Sequence, residues 1–185
     1  ERTSLSIETR QTVLQLGMVL DRLPRSALTL IMPSGCQLAN ASGWLNLSGS
    51  VLGGMWAFAA VWLVILWRGF LSPDPRIQEQ SAKINWGLNL VLAIGVSAVG
   101  IYLFTSTATP DWLALKVLAV GAIFCAGVAL DLFFKPAVDI FLALGSNPDD
   151  PELNAAYQRS LSPVYIAVLA IYAFALIAAA LGVFK

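Results

Sequence analysis

The residues with the clearest chemical potential lie in one short stretch, 26–44, which reads SALTLIMPSGCQLANASGW. Met32 and Cys36 are four residues apart, so on an α-helix they share a face, and a thioether with a thiol suits Cu(I). Gln37 and Asn40 form a polar stripe beside them. Because two ligands are too few for a metal site, we expect the sulfur atoms to pack and the amides to hydrogen-bond between helices. The alternative is a path for a small solute or metal ion.

Two charged residues fall inside a strongly apolar stretch. Lys116 lies about one turn inside the predicted outer end of a span, and we expect its ammonium group to reach back to the lipid headgroups. Asp131 follows about 22 Å further along a helix, too far away to pair with Lys116. It precedes Lys135 by four residues, the favourable order for an ion pair within one helix. The alternative for both is a charge in a substrate or proton path.

The chain contains no histidine. Histidine is the commonest general base and the commonest ligand of protein-bound metals. No nucleophile and base, and no cluster of carboxylates, stand at a catalytic spacing. We therefore predict no catalytic residue, no metal site and no cofactor other than lipids. The formal net charge is zero, so nucleic acid is not an expected partner.

The composition predicts the elements that hold these residues. The chain is 58% hydrophobic and 12% charged, and its mean hydropathy is +0.75. These values are typical of a polytopic membrane protein. The sequence does not alternate polar and apolar residues as a transmembrane β-barrel does. Its spans must therefore be helices, because lipid offers the backbone no other hydrogen-bond partner. We predict an all-α bundle with four clear spans, at 51–67, 86–104, 112–134 and 164–184.

The positive charges predict the orientation of the spans. Residues 68–83 and 135–159 carry Arg and Lys, whereas 105–111 carry none. By the positive-inside rule the first two segments face the cytoplasm, and the C-terminus lies outside. Four arginines precede residue 26, and they would also lie inside if 26–44 crossed the membrane. We therefore predict a fifth span at 26–44, kinked at Pro33; a re-entrant segment and an external loop are the alternatives.

The remaining segments complete a single transmembrane domain, 1–185. Residues 1–25 are predicted to lie on the cytoplasmic face, with an amphipathic helix over 5–23 that ends at Pro24. Residues 137–159 are predicted to form a cytoplasmic excursion. There VDIFLALG extends a helix, SNPDDPE turns and LNAAYQRSLS returns.

Small residues are spaced for close contact between helices, within the chain or with another subunit. Gly121, Cys125 and Ala129 form one row, and two further spans carry paired glycines. The predicted helix-packing residues are Gly53, Gly54, Gly95, Gly100, Gly121, Cys125 and Ala129.

LDRLPRSALTLIMPSGCQLA (residues 20–39) combines a polar helix, a Pro-Arg turn and a span broken by Pro and Gly. With WLALKVLAVGAIFCAGV (112–128), it resembles bacterial integral membrane proteins of the copper-resistance protein D superfamily. The resemblance implies the helical membrane architecture. Such proteins often carry a histidine in their first helix, and its absence here leaves a copper or haem role without support.

These observations lead to two hypotheses about function. The first is a non-catalytic subunit or accessory protein of a larger complex in the bacterial cytoplasmic membrane, with membrane lipids and other membrane subunits as partners. The second is a transporter or channel that uses the polar span 26–44. Its substrate would be a small solute or a metal ion, with copper as one candidate.

Overall fold

The computed structural model describes residues 6–106 and 109–183. Over these ranges the regular secondary structure consists of six α-helices: α1 Ile7–Leu20, α2 Arg22–Ala41, α3 Gly49–Leu71, α4 Pro75–Thr105, α5 Asp111–Ser146 and α6 Pro151–Val183. The predicted all-α class is confirmed. Residues 107–108 of the predicted outer loop and Phe184, the end of the last predicted span, lie outside the described residues.

Four helices, α3 to α6, are long and apolar enough to cross a membrane. As far as the described residues reach, they contain the four clear predicted spans. All four are longer than those spans, because hydropathy marks only the part of a helix that matches lipid. The largest difference is at 68–83, for which the sequence predicts a polar connection between two spans. In the structure the connection is only Ser72–Asp74, and the rest of this stretch belongs to α3 and α4. Pro75 begins α4, and the Asp74 carboxylate accepts a hydrogen bond from the Arg76 amide at 2.9 Å.

Residues 26–41 lie in a helix and not in an irregular loop, but this does not decide between a span, a re-entrant segment and an external location. Helix α2 runs unbroken through Pro33. Its end is set by Gly43, whose φ of 75° lies in the left-handed region and lets the chain turn. Helix α2 is not among the helices that are apolar enough to cross a membrane. The fifth span therefore stays a prediction.

The predicted N-terminal helix is present, but it ends at Leu20 and not at Pro24. Pro24 lies instead in the first turn of α2. Proline lacks an N–H group, and its ring collides with the carbonyl of the residue four positions earlier, which is Leu20. The exposed Leu16 and Met18 are about 200° apart around α1, so its apolar side chains are not confined to one face.

Contacts between residues divide the chain into two compact units. One comprises residues 11–85, in which α2 packs on α3. The other comprises residues 86–185 with residues 1–10, and its main feature is the antiparallel hairpin of α5 and α6. The prediction of a single transmembrane domain remains a prediction.

The predicted excursion at 137–159 is the closed end of this hairpin. Helix α5 continues to Ser146, and α6 begins at Pro151. The Asp150 carboxylate caps α6 by accepting hydrogen bonds from the amides of Glu152 and Leu153, at 2.8 and 3.2 Å. The helix extension and the turn thus lie where the sequence placed them, whereas the cytoplasmic location of 137–159 stays a prediction.

Candidate functional site

The polar residues of α2 make hydrogen bonds inside the first unit. The indole N–H of Trp56, on α3, donates to Gln37 Oε1 at 2.6 Å. The backbone N–H of Leu47 donates to Asn40 Oδ1 at 2.7 Å. The first bond joins α2 to α3, and the second holds the turn between them. The Gln37 bond joins two helices, as the sequence analysis expected, whereas the Asn40 bond is made to the connecting turn.

Met32 and Cys36 are both half-buried on α2. Their four-residue spacing places them on one face of the unbroken helix, as predicted. Among the described residues there is no group of three or more His, Cys, Asp or Glu side chains that could hold a metal ion. A transport path along this face stays a prediction.

Lys116 and Asp131 are not brought together, in agreement with their separation along α5. Both side chains are half-buried. A Cβ atom placed on Gly182 would lie 2.6 Å from Lys116 Nζ, so the ammonium group occupies the space that this glycine leaves. Gly182 is in the last turn of α6, where unpaired carbonyls favour a positive charge. The Asp131–Lys135 ion pair stays a prediction.

The predicted helix-packing residues fall into two groups. Gly100 and Gly121 contact neighbouring helices: an added Cβ would lie 2.8 Å from the Leu118 side chain and 2.5 Å from Ser97 Oγ, respectively. These two glycines therefore allow α4 and α5 to approach closely. An added Cβ on Gly53, Gly54 or Gly95 would meet nothing within 4 Å. Cys125 is exposed and Ala129 half-buried.

A polar cluster that the sequence did not predict lies at the closed end of the hairpin. The Arg10 side chain is only 3% exposed. Its Nη1 donates to Asn154 Oδ1 at 3.0 Å, and its guanidinium carbon lies 5.6 Å from the ring centre of Tyr157 and 6.0 Å from that of Phe141. These groups stabilise the buried cation by a charge-assisted hydrogen bond and by cation–π interactions.

A second unpredicted contact joins α3 to the start of α4. The indole N–H of Trp62 donates to Asn85 Oδ1 at 3.0 Å, and both residues are buried. One helical turn earlier, the Ser81 side chain fills the space beside Gly69. Ser81, Asn85 and Asn89 are all buried and recur every four residues. This four-residue repeat of polar residues was the signal in the sequence for a buried polar row on one helix. It begins in the predicted polar connection and ends in the predicted span, so the sequence analysis assigns the two parts to different elements.

No protein-family model, curated protein or solved structure matches this chain.

Proposed function

We propose that this chain is a non-catalytic integral membrane subunit or accessory protein of a larger bacterial membrane complex. The observation that carries the proposal is the open, small-residue surface of α3. Gly49, Gly53, Ala57 and Ala60 are all exposed, and an added Cβ on either glycine would meet nothing within 4 Å. Their spacing of four, four and three residues places them along one side of the helix.

Such a surface favours another helix over lipid. Two helices gain van der Waals contact when small residues let their backbones approach closely, whereas lipid chains gain little from a shallow groove. Only 17% of the most hydrophobic 18-residue stretch of α3 is buried inside the chain. The rest of the helix is therefore available to a partner helix or to lipid.

We further propose that the membrane is the bacterial cytoplasmic membrane, with the C-terminus on its outer side. The support is the distribution of arginine and lysine between the connections. The resemblance to the copper-resistance protein D superfamily is also a proposal, and it supports the architecture without assigning an activity.

The test is purification of the tagged chain from its native membrane in a mild detergent. We expect it to migrate in a complex larger than one chain and to bring other membrane proteins in a fixed stoichiometry. Replacing Gly53 and Ala57 by Leu would fill the open surface, and we expect at least a tenfold loss of the copurified partners, equivalent to about 1.4 kcal/mol.

Gly127→Leu is the matched control, because an added Cβ on this glycine of α5 also meets nothing within 4 Å. It should leave the complex intact. A lone, monodisperse chain recovered from the native membrane would contradict the proposal. Equal partner loss in the α3 variant and the control would show that the α3 surface is not the specific contact.

A further inference from the structure

Helices α5 and α6 are longer than a membrane requires. They contain 36 and 33 residues, whereas about 20 residues cross the hydrocarbon core. Each has a proline in its interior, Pro136 in α5 and Pro163 in α6. The predicted spans, 112–134 and 164–184, stop beside these two prolines. Residues 137–162, between the two prolines, form the hairpin tip.

Two contacts fix the register of the antiparallel pair. The rings of Phe141 and Tyr157 lie 5.4 Å apart, and Lys116 reaches Gly182. These contacts are 25 residues apart along each helix, so the same register holds over the whole hairpin. Five residues before Phe141 is Pro136, and five residues after Tyr157 is Ser162, the neighbour of Pro163. The two prolines therefore lie at one level, within about 1.5 Å along the axis.

Each proline removes one backbone hydrogen bond from its helix. Pro136 cannot donate to the carbonyl of Leu132, and Pro163 cannot donate to that of Arg159. Proline is one of the few recognised causes of sharp bends in helices. Because both bonds are missing at the same level, both backbones are weakened there, although Leu161 and Val164 of α6 are buried beside Pro163.

Packing along α5 is also weakest at this level. No residue between Val128 and Ala137 is buried on α5, a stretch longer than two turns. The helix is well packed on both sides of this stretch. Phe124, on the side of the predicted span, and Leu144, in the tip, are both fully buried. The tip also has its own contacts, since Phe141, Asn154 and Tyr157, which contact the Arg10 guanidinium, belong to it.

We infer that Pro136 and Pro163 form a hinge on which the hairpin tip bends relative to the membrane part of α5 and α6. Arg10 fastens the first turn of α1 to the tip, so this turn moves with it. Displacement of this first turn is therefore coupled to bending of the hairpin. The hinge is independent of the function proposed above.

The test uses pairs of spin labels on the full chain in lipid nanodiscs, with Cys36 and Cys125 replaced by Ser. One pair, Gly87→Cys with Gly145→Cys, spans the hinge. The reference pair, Gly87→Cys with Gly127→Cys, lies on one side of it. An added Cβ on any of these three glycines meets nothing within 4 Å. We expect the distance distribution of the first pair to be about twice as wide as that of the reference, because hinge motion spreads it.

Replacing both Pro136 and Pro163 by Ala restores the two hydrogen bonds, and should narrow the first distribution to about the reference width. Each single replacement should narrow it in part, because the two helices bend together. Pro33→Ala in α2 is the control and should change neither pair. Equal widths of the two pairs in the parent, an unchanged width after the double replacement, or equal narrowing by Pro33→Ala would overturn the hinge.

Discussion

A buried arginine is stable only where other groups replace the water around its guanidinium. At Arg10 these groups include the Asn154 amide and the rings of Phe141 and Tyr157. Asn154 is itself held by the turn, because its Nδ2 donates to the carbonyls of Pro148 and Asp150 at 2.9 and 2.8 Å. One arginine thus links α1, both arms of the hairpin and the turn between them.

We expect Arg10→Ala to destabilise the chain by about 2–3 kcal/mol, because it removes a charge-assisted hydrogen bond and two cation–π contacts. Thermal unfolding in detergent would measure this effect. Arg76→Ala should cost less than about 0.5 kcal/mol, since Arg76 is exposed. A cycle of Arg10→Ala with Asn154→Ala should show a coupling of about 1 kcal/mol or more. Additive effects of the two changes would contradict a direct energetic link.

At the scale of the helices, some glycines of the spans contact a neighbouring helix and others face open space. Gly121 faces the backbone and side chain of Ser97, on α4, whereas Gly127, six residues later on the same helix, faces open space. The sequence alone cannot separate the two, because both are glycines in an apolar helix. The difference arises from the neighbouring helix, which contacts one side of α5 and not the other.

The two glycines give a matched test of this packing. In Gly121→Ala the new Cβ would lie 2.5 Å from Ser97 Oγ and 3.0 Å from Ser97 N, so α4 and α5 must separate. We expect a loss of about 1–3 kcal/mol in the free energy of unfolding. Gly127→Ala should be neutral, or stabilising by up to about 1 kcal/mol, through helix propensity. Chemical unfolding in mixed micelles would compare them, and equal effects would count against the α4–α5 contact.

The positions of the four long helices could be predicted from the sequence because hydropathy is a local property. Their ends could not, because α4 begins at Pro75 in polar sequence and α5 continues beyond the end of the predicted span to Ser146. The polarity of Gln37 and Asn40 was also visible, but not their partners Trp56 and Leu47. The Arg10–Asn154 bond joins residues 144 positions apart, and no local pattern encodes such a pairing.

For the whole molecule, the open topological question is whether α2 crosses the membrane. Helix α2 has 20 residues, about 30 Å, which matches the hydrocarbon thickness, although it is less apolar than α3 to α6. With α2 across the membrane, Arg10, Arg22 and Arg25 lie inside with Arg68 and Arg76. With α2 outside, the same three arginines face outward, against the positive-inside rule. The charge balance therefore favours a crossing whose polar groups are covered by protein.

Labelling with a membrane-impermeant maleimide on intact spheroplasts tests this crossing. In a chain without its native cysteines, Gln15→Cys on α1 should be protected and Ser50→Cys at the start of α3 should react, because five spans put them on opposite sides. Gln78→Cys and Ser106→Cys report the predicted inner and outer ends of α4, as the protected and reactive references. Equal labelling of Gln15→Cys and Ser50→Cys would show that α2 does not cross the bilayer and that the N-terminal arginines lie on the same side as Ser50. Protection of Gln15→Cys that disappears when the membrane is permeabilised would establish the inside location of α1 and, with it, five spans.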